Sequence, residues 1–119
     1  MKDFREIKVW QKSHSLALGV YKITSSFPRE EIYGLTNQLR RAVVSISSNI
    51  AEGACRSGDK ELKYFMTISM GSASEVEYQL LLSRDLGYIP ASIHKELEDK
   101  VIEIKKMLTG YIKKLKAEG

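Results

Sequence analysis

What this chain has little of narrows it first. It has a single cysteine, Cys55, which excludes an internal disulfide and any metal site built from several thiolates. Cys55 is read as a small apolar filler near a helix end, in a reducing compartment. Two prolines and eight scattered glycines in 119 residues leave too little punctuation for an all-β protein. Nowhere do about 18 apolar residues run together, so no membrane span is expected. The opening MKDFREIKVW is charged where a signal peptide would need an apolar stretch, so the expected location is cytoplasmic.

Residues that carry chemistry are also scarce. The two histidines, His14 and His94, fall at the starts of different helical segments. Neither sits in an HExxH or Glu-x-x-His arrangement, and a di-iron bundle needs two Glu-x-x-His pairs plus two further inward glutamates. Clustered zinc ligands, a G-x-x-x-x-G-K-[ST] phosphate loop and a G-x-S-x-G nucleophile turn are missing as well. Both histidines are therefore read as surface residues, and the expectation is a non-enzyme with no cofactor and no metal.

What is present is helical period. Hydrophobic residues make up 43% and charged residues 29%, a globular composition of about one domain's length, residues 1–119. A first helix is expected from Lys8 to Ser26 on the stripe Val9, Ser13, Leu16 and Val20. It stops at Phe27-Pro28, because the residue before proline is pushed out of the helical region. Pro28 then opens a second helix, with Glu30 and Glu31 in its first turn and the seam Ile32, Leu35, Leu39, Ala42, Ile46, Asn49 and Gly53. After Arg56-Ser57-Gly58, Asp59 is the expected N-cap of a third helix seamed by Leu62, Met66, Ser69, Ala73, Val76 and Leu80. This helix ends at Asp85-Leu86-Gly87, Gly87 taking the left-handed position. Pro90 starts a fourth, seamed by Leu97, Val101, Ile104, Leu108, Tyr111 and Leu115. Short breaks between long helices imply antiparallel neighbours, so the fold class is an all-α, up-and-down four-helix bundle. The small run Gly71-Ser72-Ala73-Ser74 implies close approach to a neighbour at Ala42 or Ser45.

The polar residues of the second helix pose the functional question. Arg41, Ser45, Ser48 and Glu52 form a stripe beside the apolar seam. Arg41 and Glu52 lie eleven residues apart, about 16 Å along the axis, and cannot pair with each other. Glu75 and Glu77 are the acidic candidates for Arg40 and Arg41. Asn49 falls on the seam, where an unsatisfied amide would cost roughly 1–3 kcal/mol and a satisfied one can set register or oligomer state. Asn49, Glu52, Glu75 and Glu77 are accordingly read as interhelix connectors.

Net charge is +4, which permits contact with nucleic acid without demanding it. Five lysines and no acids lie between Lys105 and Lys116, and the N-terminal segment through Lys22 has five basic residues against two acidic. The candidate phosphate contacts are Arg40, Arg41, Lys105, Lys106, Lys113, Lys114 and Lys116. The lysine run equally suits a solvated face at the negative pole of the last helix.

Several segments carry a family resemblance. They are Val9-Trp10-Gln11-Lys12, Phe27-Pro28-Arg29-Glu30-Glu31, Gln38-Leu39-Arg40-Arg41-Ala42, Asn49-Ile50-Ala51-Glu52-Gly53, Gly71 through Tyr78, and Asp85-Leu86-Gly87-Tyr88-Ile89. In order and spacing, over nearly the whole chain, they resemble the bacterial four-helix bundle proteins encoded in intervening sequences of 23S rRNA genes. Ser45-Ile46-Ser47-Ser48 departs from the proline or alanine common there. The resemblance implies a left-handed bundle assembled as a homo-oligomer, typically a pentameric ring, with no established enzyme activity and a mostly unknown role. The chain is also similar to the accessory protein of diversity-generating retroelements, a basic pentamer that binds nucleic acid and a reverse transcriptase. Two functions are thereby expected as alternatives. One is weak RNA or DNA binding through the basic surface. The other is a protein-interaction scaffold, or a reverse-transcriptase accessory, without direct nucleic-acid contact.

Overall fold

The computed structural model describes residues 2–118, with side chains described for residues 2–115. A 3-10 turn, Phe4–Glu6, precedes helix α1, Lys8–Thr24. A second 3-10 turn, Arg29–Glu31, leads to α2, Leu35–Cys55. Helices α3, Asp59–Asp85, and α4, Ala91–Glu118, complete the fold, with no strand among the described residues. The molecule measures 45 × 22 × 20 Å, about the length of one 27-residue helix at 1.5 Å per residue.

The expected seams meet in one core. Leu16 and Val20 of α1, Leu39 and Ile46 of α2, Met66 and Leu80 of α3, and Ile104 and Leu108 of α4 are fully buried. Cross-helix pairs fix the directions. Ser45 meets Ser72, Ile46 meets Ser69 and Gly53 meets Leu62, so α2 and α3 run antiparallel. Lys12 reaches Glu103 and Gly19 lies against Leu97, so α1 and α4 do the same.

Three boundaries differ from the sequence reading. Helix α1 ends at Thr24, and Ser25 and Ser26 turn away. Pro28 does not open α2. Its extended ψ of 142° leads into the 3-10 turn, and Gly34, at φ −107° and ψ −116°, breaks the chain again before Leu35. Ile32 is consequently 55% exposed and off the seam. Asp59 is the first helical residue, with Gly58 in the N-cap position, so its carboxylate acts on the helix pole as charge and not as a cap.

The far end of α3 matches expectation. Gly87 takes φ +80°. Its N–H donates to the Arg84 carbonyl while the Tyr88 N–H donates to that of Ser83, the paired bonds of a Schellman termination. At that same end Glu31 joins two connections. Its Oε1 accepts from the Leu35 N–H at 3.0 Å, and its Oε2 accepts from the Tyr88 hydroxyl at 2.7 Å. The two bonds hold the Glu31 carboxyl below the usual carboxylate range, the Leu35 amide contributing most, and the same contact raises the Tyr88 phenol.

Candidate nucleic-acid interface

The two arginines sort into different roles. Arg40, half-buried, donates from Nε to Thr24 Oγ1 at 2.8 Å and from Nη2 to the Tyr21 carbonyl at 3.4 Å. Its guanidinium lies over the Tyr21 ring, 4.7 Å from the centroid. It is therefore a latch between α2 and α1. Arg41 is exposed and makes no ion pair among the described residues. The expected pairing of these arginines with Glu75 and Glu77 does not form. Glu77 instead takes the Lys105 ammonium at 2.8 Å, fastening α3 to α4, and Glu75 stays exposed. That pair removes Lys105 from the free cations as well.

The other expected connectors are local. Asn49 sits beside the seam, which Val43 and Ile50 carry. Its Nδ2 donates to the Ser45 carbonyl at 2.8 Å and to Ser45 Oγ at 3.0 Å, within its own helix. The link to α3 passes through serine instead: Ser45 Oγ and Ser72 Oγ share a hydrogen bond of 2.8 Å, and the Ser69 hydroxyl donates to the Ile46 carbonyl at 2.9 Å. Ser45 is thus the neighbour expected for the small-residue run. Gly71 is not part of that contact, because its open side faces outward. Glu52 pairs with Arg56 one turn later on the surface, at 3.2 Å.

Lys106, Lys113 and Lys114 remain exposed and outside any ion pair among the described residues; the Lys116 side chain lies outside them. Sequence reasoning missed where their companions come from. The N-terminal segment is tied to the end of α2 by the Lys2 N–H donating to the Ala54 carbonyl, and from there the Lys2 ammonium reaches α4, over the Tyr111 ring 5.7 Å from its centroid. Lys2, Lys8 and Lys106 line an open groove of about 810 Å³ with Met107 and Tyr111, and Lys114 stands at its continuation with Lys2. Asp3 and Glu6 line the groove too, although Arg5 takes up Asp3 at 3.3 Å. The excess of basic residues through Lys22 was the available signal. It gave the charge without the place.

The histidines divide. His14 is exposed and stacks on Trp10, centroids 4.9 Å apart. His94, expected on the surface, is only 4% exposed. Its Nε2 lies 3.6 Å from Glu98 Oε2 and makes no hydrogen bond among the described residues. His94 lies three residues before Leu97 on the buried stripe of α4, while Ala91 and Ser92 of the same turn are exposed. Among the described residues no group of three or more His, Cys, Asp or Glu side chains is placed to hold a metal ion, and no helix is long and apolar enough to cross a membrane.

Comparison with known proteins adds the following. The model of one family, described as 23S rRNA-intervening sequence protein, matches residues 5–110. A crystal structure from Bacteroides thetaiotaomicron superposes with a TM-score of 0.79 at 26% identity, covering 88% of this chain and 98% of that one. It is described as a protein with unknown function from the S23 ribosomal protein family. A search of curated proteins found no match.

Proposed function

Since the chain belongs to the 23S rRNA-intervening sequence protein family, we propose that it works without catalysis, as a self-associating helical bundle that holds RNA or DNA by its phosphates. The observation that carries this reading is the convergence of Lys2 and Lys8 with Lys106 and Lys114 along the outer half of α4. Lysine ammoniums on flexible stems suit phosphate as point charges and read no sequence. Exposed Lys113 stands on the same half of α4; Arg41 lies about 20 Å away along α2, toward the Tyr21 end, and is set apart from this surface, as are Arg40 and Lys105, which are engaged within the bundle.

A single chain offers a weak field, with Asp3 and Glu6 among the lysines. Assembly multiplies it. Five copies of +4, in the pentameric ring that the family resemblance implies, present about +20 to one polyanion. A reverse transcriptase partner would then meet nucleic acid already held on that surface.

The test is anisotropy binding to rRNA fragments and duplex DNA across a salt series. Each phosphate neutralised on a duplex contributes about 0.9 to the slope of log K against log salt. Replacing Lys2, Lys106 and Lys114 with Gln together should lower the slope by up to about three per chain engaged, while Lys105→Gln leaves it unchanged. Affinity that ignores salt, or that ignores the triple substitution, refutes the reading.

A further inference from the structure

The groove between the N-terminal segment and α4 is not lined by charge alone. Lys2, Lys8 and Lys106 are exposed, while Ile7 and Val9 are buried and Met107 and Tyr111 half-buried. Lysines therefore form its rim and apolar side chains its floor. Phosphate uses the rim and has no use for the floor.

Gly110 is the second observation. It lines both the groove and the continuation that holds Lys114. Glycine inside a helix is less stable than alanine, and no neighbouring atom lies within 4 Å of the place its Cβ would take. Close packing of the bundle does not require it. The missing side chain leaves open floor one turn from Met107 and directly beside Tyr111.

We infer that the groove takes an unpaired stretch of nucleic acid, with phosphates on Lys2, Lys106 and Lys114 and a base in the opening at Gly110, against Met107 and the Tyr111 ring. This rests on the phosphate reading above and names the form of polyanion that fits. A duplex keeps its bases stacked inside and would lay phosphate and water over the apolar floor. It would also set a dense double row of phosphates against Glu6, which lines the groove and makes no ion pair among the described residues. A single strand can turn its phosphates to the rim and a base to the floor. Lys106 and Lys114 lie about 12 Å apart along α4 with Gly110 midway, so the base falls between two phosphate contacts. The Lys2 ammonium, 5.7 Å from the Tyr111 centroid, stands at the outer limit of cation–π attraction. It passes readily to a phosphate and leaves the ring to the base. Every base has an aromatic face, so the contact suits RNA and DNA strands alike and reads little sequence.

The experiment measures anisotropy with the full chain and four probes carrying equal numbers of phosphates, each across a salt series. The probes are oligouridine, oligothymidine, an abasic deoxyribose-phosphate strand and a duplex. The unaltered chain is compared with Gly110→Leu, which has open space for its side chain, and with Tyr111→Phe and Tyr111→Leu. Both unpaired base-bearing strands should bind at least roughly fivefold tighter than the abasic strand and the duplex. Gly110→Leu and Tyr111→Leu should abolish that preference and Tyr111→Phe should keep it, with the salt slope of the abasic strand alike in all four chains. An abasic strand or a duplex that binds as tightly as the unpaired strands overturns the inference and leaves the phosphate reading standing. A preference untouched by Gly110→Leu does the same. Binding that ignores salt for every probe overturns both.

Discussion

Gly53 and Gly71 lie on adjacent helices, and one methyl group separates them into opposite cases. A Cβ on Gly53 would stand 3.0 Å from Phe65 Cβ and 3.1 Å from Leu62 Cδ1, against the backbone of α3 at 3.4 Å, and the first of these neighbours cannot swing aside. A Cβ on Gly71 meets nothing. Alanine gains about 1 kcal/mol of helix propensity at either place, whereas overpacking costs about 1–3 kcal/mol at Gly53 alone. Urea unfolding at high dilution should therefore show Gly71→Ala more stable by about 0.5–1 kcal/mol and Gly53→Ala less stable by about 1 kcal/mol. Glu31 gives a pH dependence. Its carboxyl is held low by the Leu35 amide and the Tyr88 hydroxyl, so its contribution is present above the unfolded pKa and is lost as pH falls through the lower, folded value. Thermal melts should place Glu31→Gln below the unaltered chain at neutral pH, with the gap closing on acidification; a constant gap would mean that the carboxylate charge is irrelevant.

Helices were more legible than what joins them. The seams of α2, α3 and α4 declared themselves because burial requires apolar residues every three or four positions, and the core repeats that spacing. The start of α2 did not. Proline and two glutamates look like a helix opening, but the outcome depended on Gly34 and on a tyrosine that reaches Glu31 from another loop, and neither is visible in a local window. The polar partners failed for a related reason. Two arginines and two glutamates of opposite charge can pair in several ways, and only packing directs Arg40 to Thr24 and Glu77 to Lys105. His94 was missed because a histidine breaks the apolar pattern, although its place three residues before Leu97 continues the buried stripe of α4. At this scale Arg40→Ala should cost about 1 kcal/mol of stability, and Arg40→Lys should not restore it, since a lysine has no planar fork to bond Thr24 while stacking on Tyr21. Chemical denaturation checks this, and a full rescue by lysine would reduce the latch to simple charge.

Taken whole, the bundle separates its surfaces. Basic side chains gather where the N-terminal segment meets α4, while the exposed Tyr64 and Tyr78 lie on another helix, α3. Polyanion binding should then be removable without disturbing the rest of the bundle. The Lys2, Lys106 and Lys114 triple substitution should lower salt-sensitive affinity without changing the mass seen by light scattering. The Glu31–Tyr88 bond adds a consequence for the order of assembly, because its partners are 57 residues apart. Glu31 meets the Leu35 N–H locally, but its second oxygen gains a partner only when the α3–α4 corner arrives, late in any route that begins with the local helices. Stopped-flow refolding should accordingly assign Tyr88→Phe to the unfolding limb, faster escape with nearly unaltered collapse, making this knot the last to tie and the first to slip.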